Sequence, residues 1–334
     1  MSIFTDLAEL KTQRPSDRRP VPEHRPRRRL IAIAGGPNCG KSTLFNALTG
    51  LRQKVANYPG VTVEKKLGSC RLPSGRAAEV VDLPGTYSLR PASPDEVVAR
   101  DVLLGIQPET RLPDLTLLVL DSTCLERQLY LCMQLIEIGR PVVVALNMMD
   151  TALEEGLDVD AKLLSRALGA PVIPISARTG SGLDDLREAM DQEVLPPRPV
   201  DRTLPAPLQG AIDRLARVLP SSGPLALLSR EHIATAILLD EGEDPSLLRA
   251  AGPEVRRLVQ TLRAGLDHDL PEWRSNEPVV HYRSVEDLIR RATLRVKPRR
   301  SSLRARLDRI VTHRMFGPIL FVLLMGVVFQ SVFT

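Results

Sequence analysis

The sequence predicts an α/β fold with a mainly parallel sheet of six strands, followed by a small helical domain and an apolar C-terminal helix. From residue 30 to about 193, short apolar runs alternate with amphipathic segments, as in parallel sheets with right-handed crossover helices. Five prolines between residues 195 and 207 then mark a linker. Beyond the linker, apolar residues recur at intervals of three and four, which is typical of amphipathic helices.

Each element of the first domain is predicted from the spacing of its apolar residues. The runs at 115–120 and 141–146 are continuously apolar, which indicates strands buried on both faces of a sheet. The runs at 61–72 and 77–81 flank a Pro-Ser-Gly turn and predict a hairpin, which follows a polar connection at 49–59. The other strands are expected at 30–34 and 171–175, and helices at 42–48, 125–138, 161–168 and 183–190.

The helical domain is predicted over 208–296, after the linker at 195–207. Trp273 and His281 fall between its apolar stretches, so we expect both in loops, as packing or capping residues. Its helices are expected at 208–219, 225–239, 246–266 and 285–294.

Two basic blocks flank the folded region. Lys and Arg outnumber Asp and Glu by 45 to 40 in the 334 residues, and the excess is concentrated at 11–29 and 297–314. The first block is rich in proline and lacks apolar periodicity, which predicts a disordered arm over 1–29. We expect a solvated tail there, with contact to anionic lipid or nucleic acid as the alternative.

The apolar C-terminal run predicts a membrane helix. Residues 315–334 carry no charge, and twenty such residues are about the length that crosses a bilayer core. The basic segment at 297–314 precedes them, as the positive-inside rule expects of a cytoplasmic flank. We therefore predict a transmembrane helix over 315–334 with the residues before 315 in the cytoplasm; a buried C-terminal helix is the alternative. Because the sequence ends with this helix, we expect the front portion of a longer membrane protein.

A phosphate loop lies between the first strand and the first helix. Residues 35–42 read Gly-Gly-Pro-Asn-Cys-Gly-Lys-Ser, a complete G-x-x-x-x-G-K-S pattern. In such loops backbone N–H groups surround phosphate oxygens, Lys41 reaches the β- and γ-phosphates, and the Ser42 hydroxyl ligates Mg²⁺. The flanking strand and helix argue against a simple glycine-rich turn. We expect phosphate contacts from Gly35, Gly36, Pro37, Asn38, Cys39, Gly40, Lys41, Ser42 and Thr43.

A second motif, Asp-Leu-Pro-Gly at 82–85, follows the third strand. At this position Asp82 can hold the Mg²⁺ shell through water, and the N–H of Gly85 can reach a γ-phosphate. Alone the tetrapeptide is also an ordinary turn. In combination with the phosphate loop it adds Asp82, Leu83, Pro84 and Gly85 to the expected site.

Two further motifs predict guanine as the base. Asn-Met-Met-Asp at 147–150 ends the fifth strand, where the Asp150 carboxylate can accept bonds from N1–H and the N2 amine of guanine, which adenine lacks. Ser-Ala-Arg at 176–178 follows the sixth strand, where a backbone N–H can bind guanine O6. The joint order predicts a Ras-like P-loop GTPase domain over 30–194. The base contacts are expected from Asn147, Met148, Met149, Asp150, Ser176, Ala177 and Arg178.

Catalysis of phosphoryl transfer needs a positioned water and neutralised charge. Thr86 follows Gly85, where Ras-like switches have a water-orienting glutamine, so we expect slow hydrolysis unless backbone groups or a cation substitute. Asn38 is a candidate ligand for a monovalent cation, with a turn-stabilising role as the equal alternative. Thr62 can present its hydroxyl and carbonyl to Mg²⁺ and the γ-phosphate. The predicted catalytic set is Asn38, Lys41, Thr62 and Gly85, with Gly60 and Val61 beside Thr62 at the nucleotide.

These motifs together resemble the FeoB family of bacterial ferrous iron transporters. The similarity runs from about residue 30 to the end of the chain, and the basic arm lies outside it. Ser42 stands where a threonine is common, a change that Mg²⁺ chemistry tolerates. The segments that carry the resemblance are 36–46, 57–66, 82–89, 93–96, 125–127, 147–150, 312–314 and 316–318.

The resemblance implies a K⁺-stimulated GTPase with Asn38 as the cation ligand, Ser42, Thr62 and Asp82 around Mg²⁺, and Thr62 as the switch I sensor. It also implies that the helical domain slows GDP release and couples the GTPase to a transporter of the bacterial inner membrane. The expected partners are GTP and GDP, the lipid bilayer, Fe²⁺ through a membrane domain that this sequence lacks, small accessory iron-transport proteins, and a second copy of the chain. No nucleic acid is expected.

Two other functions remain as alternatives. One is a soluble GTPase of ribosome assembly or tRNA modification, whose basic arms bind RNA; the uncharged run at 315–334 argues against it. The other is a binding module in which GTP is a structural ligand, which a measurement of phosphate release in KCl and NaCl distinguishes.

Overall fold

The structure is a computed structural model that describes residues 28–50, 53–59, 61–197, 203–240, 246–295, 311 and 313–333, without the side chains of 332 and 333. Most of the predicted basic arm at 1–29, Gly60, part of the linker, and most of the basic segment at 297–314 lie outside these residues.

Seven strands form the main sheet, in the order β2-β3-β4-β1-β5-β6-β8. The four contacts among β4, β1, β5, β6 and β8 are parallel, and β2 and β3 extend the sheet as antiparallel strands. Its strands are β1 (Arg29–Gly35), β2 (Gln53–Asn57), β3 (Glu64–Arg71), β4 (Ala77–Asp82), β5 (Leu115–Asp121), β6 (Val142–Asn147) and β8 (Val172–Pro174), while β7 (Leu157–Val159) lies outside this sheet.

The prediction of six strands was wrong by one, because β2 lies in the segment that was expected to be a polar connection. All five residues of β2 are exposed, so the strand has no buried face and no apolar alternation. It is held by its antiparallel pairing with β3, from Gln53 opposite Gly68 to Asn57 opposite Glu64. An edge strand of this kind leaves no hydrophobic signal in the sequence.

Helices cover both faces of the sheet. On one face Ile31 and Ile33 of β1 join a core with Leu44 and Phe45, whereas Ala32 and Ala34 belong to a core on the other face. This alternation is the reason that β1 reads as a continuous apolar run. The helices of this unit are α1 (Lys41–Thr49), α2 (Pro94–Leu103), α3 (Leu125–Glu137), α4 (Met149–Glu155), α5 (Ala161–Leu168) and α6 (Leu183–Asp191).

The helical unit follows the proline-rich segment and packs on the second face through α3. The predicted helix at 246–266 is two helices, because Gly252 and Pro253 interrupt it. Its elements are α7 (Ala206–Val218), a 3₁₀ turn (Pro224–Leu227), α8 (Arg230–Leu239), α9 (Ser246–Ala251), α10 (Pro253–Asp269), α11 (Trp273–Ala292) and the strand β9 (Thr293–Arg295).

The expectation that Trp273 and His281 lie in loops was wrong. Both are buried in α11, which begins twelve residues before the predicted start at 285 because Pro278 and buried polar residues mask its apolar pattern. The helix is followed by β9, a strand where none was predicted. It pairs antiparallel with β7, so the end of the helical unit is tied to the first unit.

The last helix is α12 (Phe316–Phe333), whose large apolar side chains are exposed. A search of the described residues finds no helix with both the length and the apolarity that crossing a membrane requires. The transmembrane helix predicted at 315–334 is therefore not confirmed and stays a prediction.

A buried arginine links α2 to the helical unit. Arg100 is 1% exposed and pairs with Asp101 and Asp240, at 2.9 and 3.0 Å, while its Nη2 donates to the Ser246 hydroxyl at 2.6 Å. Removing one member of a buried ionic network leaves uncompensated charge in a low-dielectric interior. The Arg100 guanidinium thus stabilises the packing of the helical unit against α2.

We expect Arg100→Ala to lower the free energy of unfolding by about 3–5 kcal/mol, because Asp101 and Asp240 lose a buried partner. Urea denaturation measures this change. The matched control is Arg290→Ala, which removes an exposed pair with Asp287 and is expected to change stability little. Similar small effects from both variants would contradict the role given to Arg100.

Candidate nucleotide-binding and hydrolysis site

The phosphate loop connects β1 to α1. Two of its glycines lie where a residue with a side chain would not fit. Gly35 has a φ of 149°, and a Cβ there would lie 2.4 Å from the carbonyl oxygen of Val119. Gly40 has a φ of 92°, and a Cβ would lie 2.3 Å from the side-chain nitrogen of Asn147. The loop therefore passes close to β5 and to the end of β6, a position that a side chain at either glycine would prevent.

Lys41 at the start of α1 closes over this loop. Its Nζ donates hydrogen bonds to the carbonyl oxygens of Gly35 and Gly36, at 3.1 and 2.8 Å. Burial lowers the pKa of the Lys41 ammonium, against the opposing effect of Cys39 and Asp82. No side chain caps the first turn of α1, so its N–H groups and the adjacent ammonium form a positive environment suited to an anion.

Asp82, at the end of β4, lies beside the start of α1. The Ser42 hydroxyl donates to Asp82 Oδ2 at 3.2 Å, while Oδ1 is buried without a hydrogen-bond partner among the described residues. Burial raises the pKa of Asp82 although Lys41 and Ser42 oppose the shift. A buried carboxylate oxygen that lacks a partner, next to a hydroxyl, is a donor set that fits a hard cation with its bound waters.

The loop after Asp82 runs along the phosphate loop. A Cβ on Gly85 would lie 2.9 Å from the backbone nitrogen of Pro37, and Thr86 donates its N–H to the Gly35 carbonyl at 3.1 Å. The Thr86 side chain is buried, and its hydroxyl donates to the carbonyl of Ser88 at 2.6 Å. Thr86 is thus turned into its own loop, so its hydroxyl is not placed to orient a water molecule.

The side chain of Asn147, at the end of β6, connects the phosphate loop with the Ser-Ala-Arg loop. Its side-chain nitrogen donates to the Cys39 carbonyl at 2.9 Å, and its oxygen accepts from the backbone N–H of Ala177 at 2.9 Å. The residue is 3% exposed. The base contact predicted for Asn147 stays a prediction; in the structure its side chain ties the phosphate loop to the Ser-Ala-Arg loop.

Asp150 pairs with Arg178, whose Nη2 donates to Asp150 Oδ2 at 2.7 Å. Burial alone raises the pKa of Asp150, but hydrogen bonds from Arg178, the Thr151 backbone and Ser176 outweigh it and lower the pKa. The carboxylate is therefore anionic near neutral pH, as an acceptor for guanine N–H groups has to be.

The Ser-Ala-Arg loop has fewer free donors than the sequence indicated. The N–H of Ser176 donates to Ser181 at 3.0 Å, and that of Ala177 is taken by Asn147. Within the part of the chain that the structure describes, the N–H of Arg178 is the one of the three without a hydrogen bond. A contact from this loop to guanine O6 thus has Arg178 as its available backbone donor.

The segment before β3 is not brought to the phosphate loop by hydrogen bonds. Thr62 is exposed and makes no hydrogen bond among the described residues, whereas the N–H of Val61 donates to Tyr58 at 3.3 Å. Gly60 lies outside the described residues. Asn38 is exposed with a φ of 61°, a left-handed backbone that places it at the outer turn of the loop.

Tyr58 is a site residue that sequence reasoning missed. It is buried, its hydroxyl has no hydrogen-bond partner among the described residues, and burial together with Asp82 raises its pKa. The Lys65 ammonium lies 5.4 Å from its ring centroid. Tyr87 was also missed; its ring meets the position that a Cβ on Gly36 would occupy, at 2.6 Å. Neither contact has a signal in the sequence, because both depend on how the loops fold.

The loops described above emerge at the carboxyl ends of β1, β4, β6 and β8, where open α/β sheets bind ligands. A phosphate loop and a base loop in this arrangement are those of a P-loop GTPase, and the first unit is a domain of that class. A family model described as Ferrous iron transport protein B matches residues 29–190. The chain belongs to this family, FeoB, as its similarity to solved members also establishes.

Three relatives illustrate the similarity. The Fe(2+) transport protein A/Fe(2+) transporter FeoB fusion protein of Porphyromonas gingivalis is 36% identical over 319 residues, which are 91% of this chain and 36% of that protein. The cytosolic domain of L. pneumophila FeoB is 31% identical with a TM-score of 0.68, covering 79% of this chain and 99% of that one. An NFeoB mutant of S. thermophilus, bound to GDP, is 33% identical with a TM-score of 0.66, covering 80% and 100%.

The chain spans between 36% and 38% of the length of the curated relatives that match it first. The likeness therefore concerns the cytosolic GTPase region and its helical extension. Transport and its substrate are properties of the longer proteins.

We expect Asn147→Ala to lower stability by about 2–4 kcal/mol and to weaken GDP binding, because the Cys39 carbonyl and the Ala177 N–H both lose a buried partner. Urea denaturation and calorimetric titration with GDP measure the two effects. The control is Asn276→Ala, whose side chain makes one hydrogen bond on an exposed helix surface. If GDP affinity in the Asn147 variant equalled that of the control, the tie between loops would not be needed for binding.

Proposed function

We propose that this chain binds GTP with Mg²⁺ and hydrolyses it, as the cytosolic switch of a ferrous iron transporter. The observation that carries the proposal is the meeting of Lys41, Ser42 and Asp82 at the carboxyl ends of β1 and β4, where Asp82 Oδ1 is buried without a hydrogen-bond partner among the described residues. The base loop at Asp150 and Arg178 stands at the neighbouring strand ends and supplies the acceptor for guanine.

Each residue has a definite task in this scheme. Lys41 leaves the carbonyl oxygens of its own loop and pairs with the β- and γ-phosphates, which exchanges two neutral acceptors for anionic ones. Ser42 and Asp82 would hold a magnesium ion, and Thr62 would join them when its segment closes on the γ-phosphate. When bound, the ion neutralises charge on the β- and γ-phosphates. Gly85 gives its backbone N–H to the γ-phosphate, and residues 35–43 supply the remaining phosphate contacts.

Hydrolysis in this site depends on groups other than a glutamine. Thr86 is turned away, so the attacking water is oriented by backbone groups, and intrinsic turnover is slow. We propose that Asn38 ligates a K⁺ ion that stabilises the phosphate charge in the position of an arginine finger. The exposed, left-handed conformation of Asn38 supports this role, since its side-chain oxygen is not engaged elsewhere among the described residues.

The longer protein is proposed to carry Fe²⁺ across the bacterial inner membrane. The names of the relatives support iron as the substrate, and the fusion with a transport protein A supports a small accessory partner. In this proposal residues 30–194 are the GTPase domain, 195–207 the linker and 208–296 the helical domain that slows GDP release. A second copy of the chain is a proposed partner. The segment at 315–334 is proposed to enter the bilayer, with the residues before 315 in the cytoplasm.

Phosphate release from GTP tests the proposal. We expect hydrolysis to be at least about 10-fold faster in KCl than in NaCl at equal ionic strength, since a cation at an arginine-finger position stabilises transition-state charge. Removal of Mg²⁺ by chelation with EDTA is expected to reduce the rate of hydrolysis to background. Asn38→Ala should remove the preference for K⁺ while GDP affinity stays close to that of the unaltered chain.

Three outcomes would count against parts of this account. Absence of turnover in both salts rejects hydrolysis and favours a binding module. Equal rates in KCl and NaCl reject the K⁺ role alone. Persistent K⁺ stimulation in the Asn38 variant moves the cation site elsewhere.

A further inference from the structure

A buried cluster of titratable side chains lies where the helical unit packs against the GTPase domain. Glu137 ends α3, His232 belongs to α8, and Glu277 and His281 belong to α11. All four are at most 9% exposed. None of them takes part in the nucleotide site, so their burial requires a separate explanation.

The two imidazoles face the same carboxylate. His281 Nε2 lies 2.8 Å from Glu137 Oε1, and His232 Nε2 lies 3.1 Å from Glu137 Oε2. Both Nδ1 atoms have other partners: that of His232 lies 2.9 Å from the Ser229 hydroxyl, and that of His281 lies 3.0 Å from the Glu277 carbonyl. Each imidazole thus has its Nδ1 held by a second group and its Nε2 directed at Glu137, an arrangement that orients histidine ligands of metals.

One of these nitrogens is without a hydrogen bond. His232 is 9% exposed, and its Nε2 has no hydrogen-bond partner among the described residues although Glu137 is close. Beside it is a small cavity of about 30 Å³, lined in part by Glu137, His232, Glu277 and Arg90. A polar cavity that holds one water-sized particle needs about 10–15 Å³. The space and the unpartnered nitrogen together indicate a small ligand.

The negative charge of the second carboxylate, Glu277, is balanced by other partners. Glu277 Oε2 accepts hydrogen bonds from Arg90 and from the Tyr130 hydroxyl, the latter at 3.2 Å. Its other oxygen lies 3.0 Å from His281 Nδ1. Glu277 therefore orients His281, while Glu137 is the carboxylate that both Nε2 atoms face.

We propose that Glu137, His232 and His281 bind one first-row divalent transition-metal ion at the junction of the two units. Two imidazoles and a carboxylate suit ions such as Zn²⁺, Co²⁺ or Fe²⁺, whereas Mg²⁺ and Ca²⁺ prefer oxygen. One donor atom each of Glu137, Glu277 and His281 lies within 4.8 Å of the others, and His232 approaches Glu137 from its other carboxylate oxygen. Bringing both Nε2 atoms to about 2.0–2.2 Å from one ion therefore requires the His232 side chain to move toward His281.

The position of the site gives it a regulatory meaning. It joins α3 of the GTPase domain to α8 and α11 of the helical unit, and Glu277 holds Arg90 in the loop that follows Gly85. An ion at this site would fix the packing of the helical unit next to the loop that follows Gly85. This regulatory meaning rests on the proposed GTPase function, whereas the metal site itself does not.

A proton competes with the ion. Burial alone lowers the pKa of His281, but its hydrogen bonds to Glu137 and Glu277 outweigh that effect and raise the pKa to about 9. Arg90, Tyr130 and His232 are the other charged or titratable groups that face this cluster. Metal binding has to release the proton, so the titration is best made above neutral pH.

The test uses the full chain saturated with GDP and excess Mg²⁺, so that the nucleotide site is occupied. Co²⁺ is titrated and followed by its visible d–d absorption, and Zn²⁺ binding is measured by calorimetry. We expect one equivalent of either ion. His232→Gln and His281→Gln should weaken binding by at least about 100-fold, and Ser229→Ala by about 10-fold, the range of supporting residues. The matched control is His268→Gln, an exposed histidine 2.9 Å from Asp269, which should leave binding unchanged.

Absence of Co²⁺ and Zn²⁺ binding, or equal binding in the unaltered chain and in His232→Gln, overturns the proposal and leaves a water-filled polar cluster. Circular dichroism checks that each variant is folded, and if His281→Gln does not fold, His232→Gln and Ser229→Ala decide. GTP hydrolysis is measured separately without Co²⁺. Loss of hydrolysis with intact Co²⁺ binding rejects the GTPase function and not the metal site.

Discussion

The two hydrogen bonds of the Asn147 side chain are the constraint on which the nucleotide site depends. One fixes the phosphate loop at Cys39, and the other fixes the loop at Ala177, so strand ends that are far apart in the sequence share one buried amide. Gly40 has to be a glycine because its Cβ position lies against this amide. The phosphate and base halves of the site are therefore held at a set spacing before any nucleotide binds, which reduces the ordering that binding requires.

Burial then sets the electrostatics of that framework. Lys41 and Asp82 are both buried. Burial lowers the pKa of Lys41 and raises that of Asp82, which favours the neutral form of each group. An anionic ligand with its cation would reverse both effects, because each buried charge would gain a close partner. Thr62 lies outside this framework: it is exposed and makes no hydrogen bond among the described residues, which is compatible with the proposed closure of its segment on a γ-phosphate.

Much of the fold was predictable because parallel strands buried on both faces read as continuous apolar runs, and α5 was placed at its observed bounds. The prediction failed where the pattern is polar. Exposed β2 has no apolar face, and the buried Arg100 and His281 interrupt the stripes of α2 and α11. The candidate site residues were predicted from motif spacing, whereas the bond from Asn147 to the phosphate loop was not, since a contact across 108 positions leaves no local signal. Tyr58 was missed for the same reason.

The central claim is that these strand-end loops form a site for guanine nucleotides. Calorimetric titration of the purified chain with GDP and with ADP, both in Mg²⁺, tests it most directly. The account predicts that GDP binds at least about 100-fold more tightly, because Asp150 accepts from N–H groups that adenine lacks. Affinities for GDP and ADP that agree within a few-fold would contradict it.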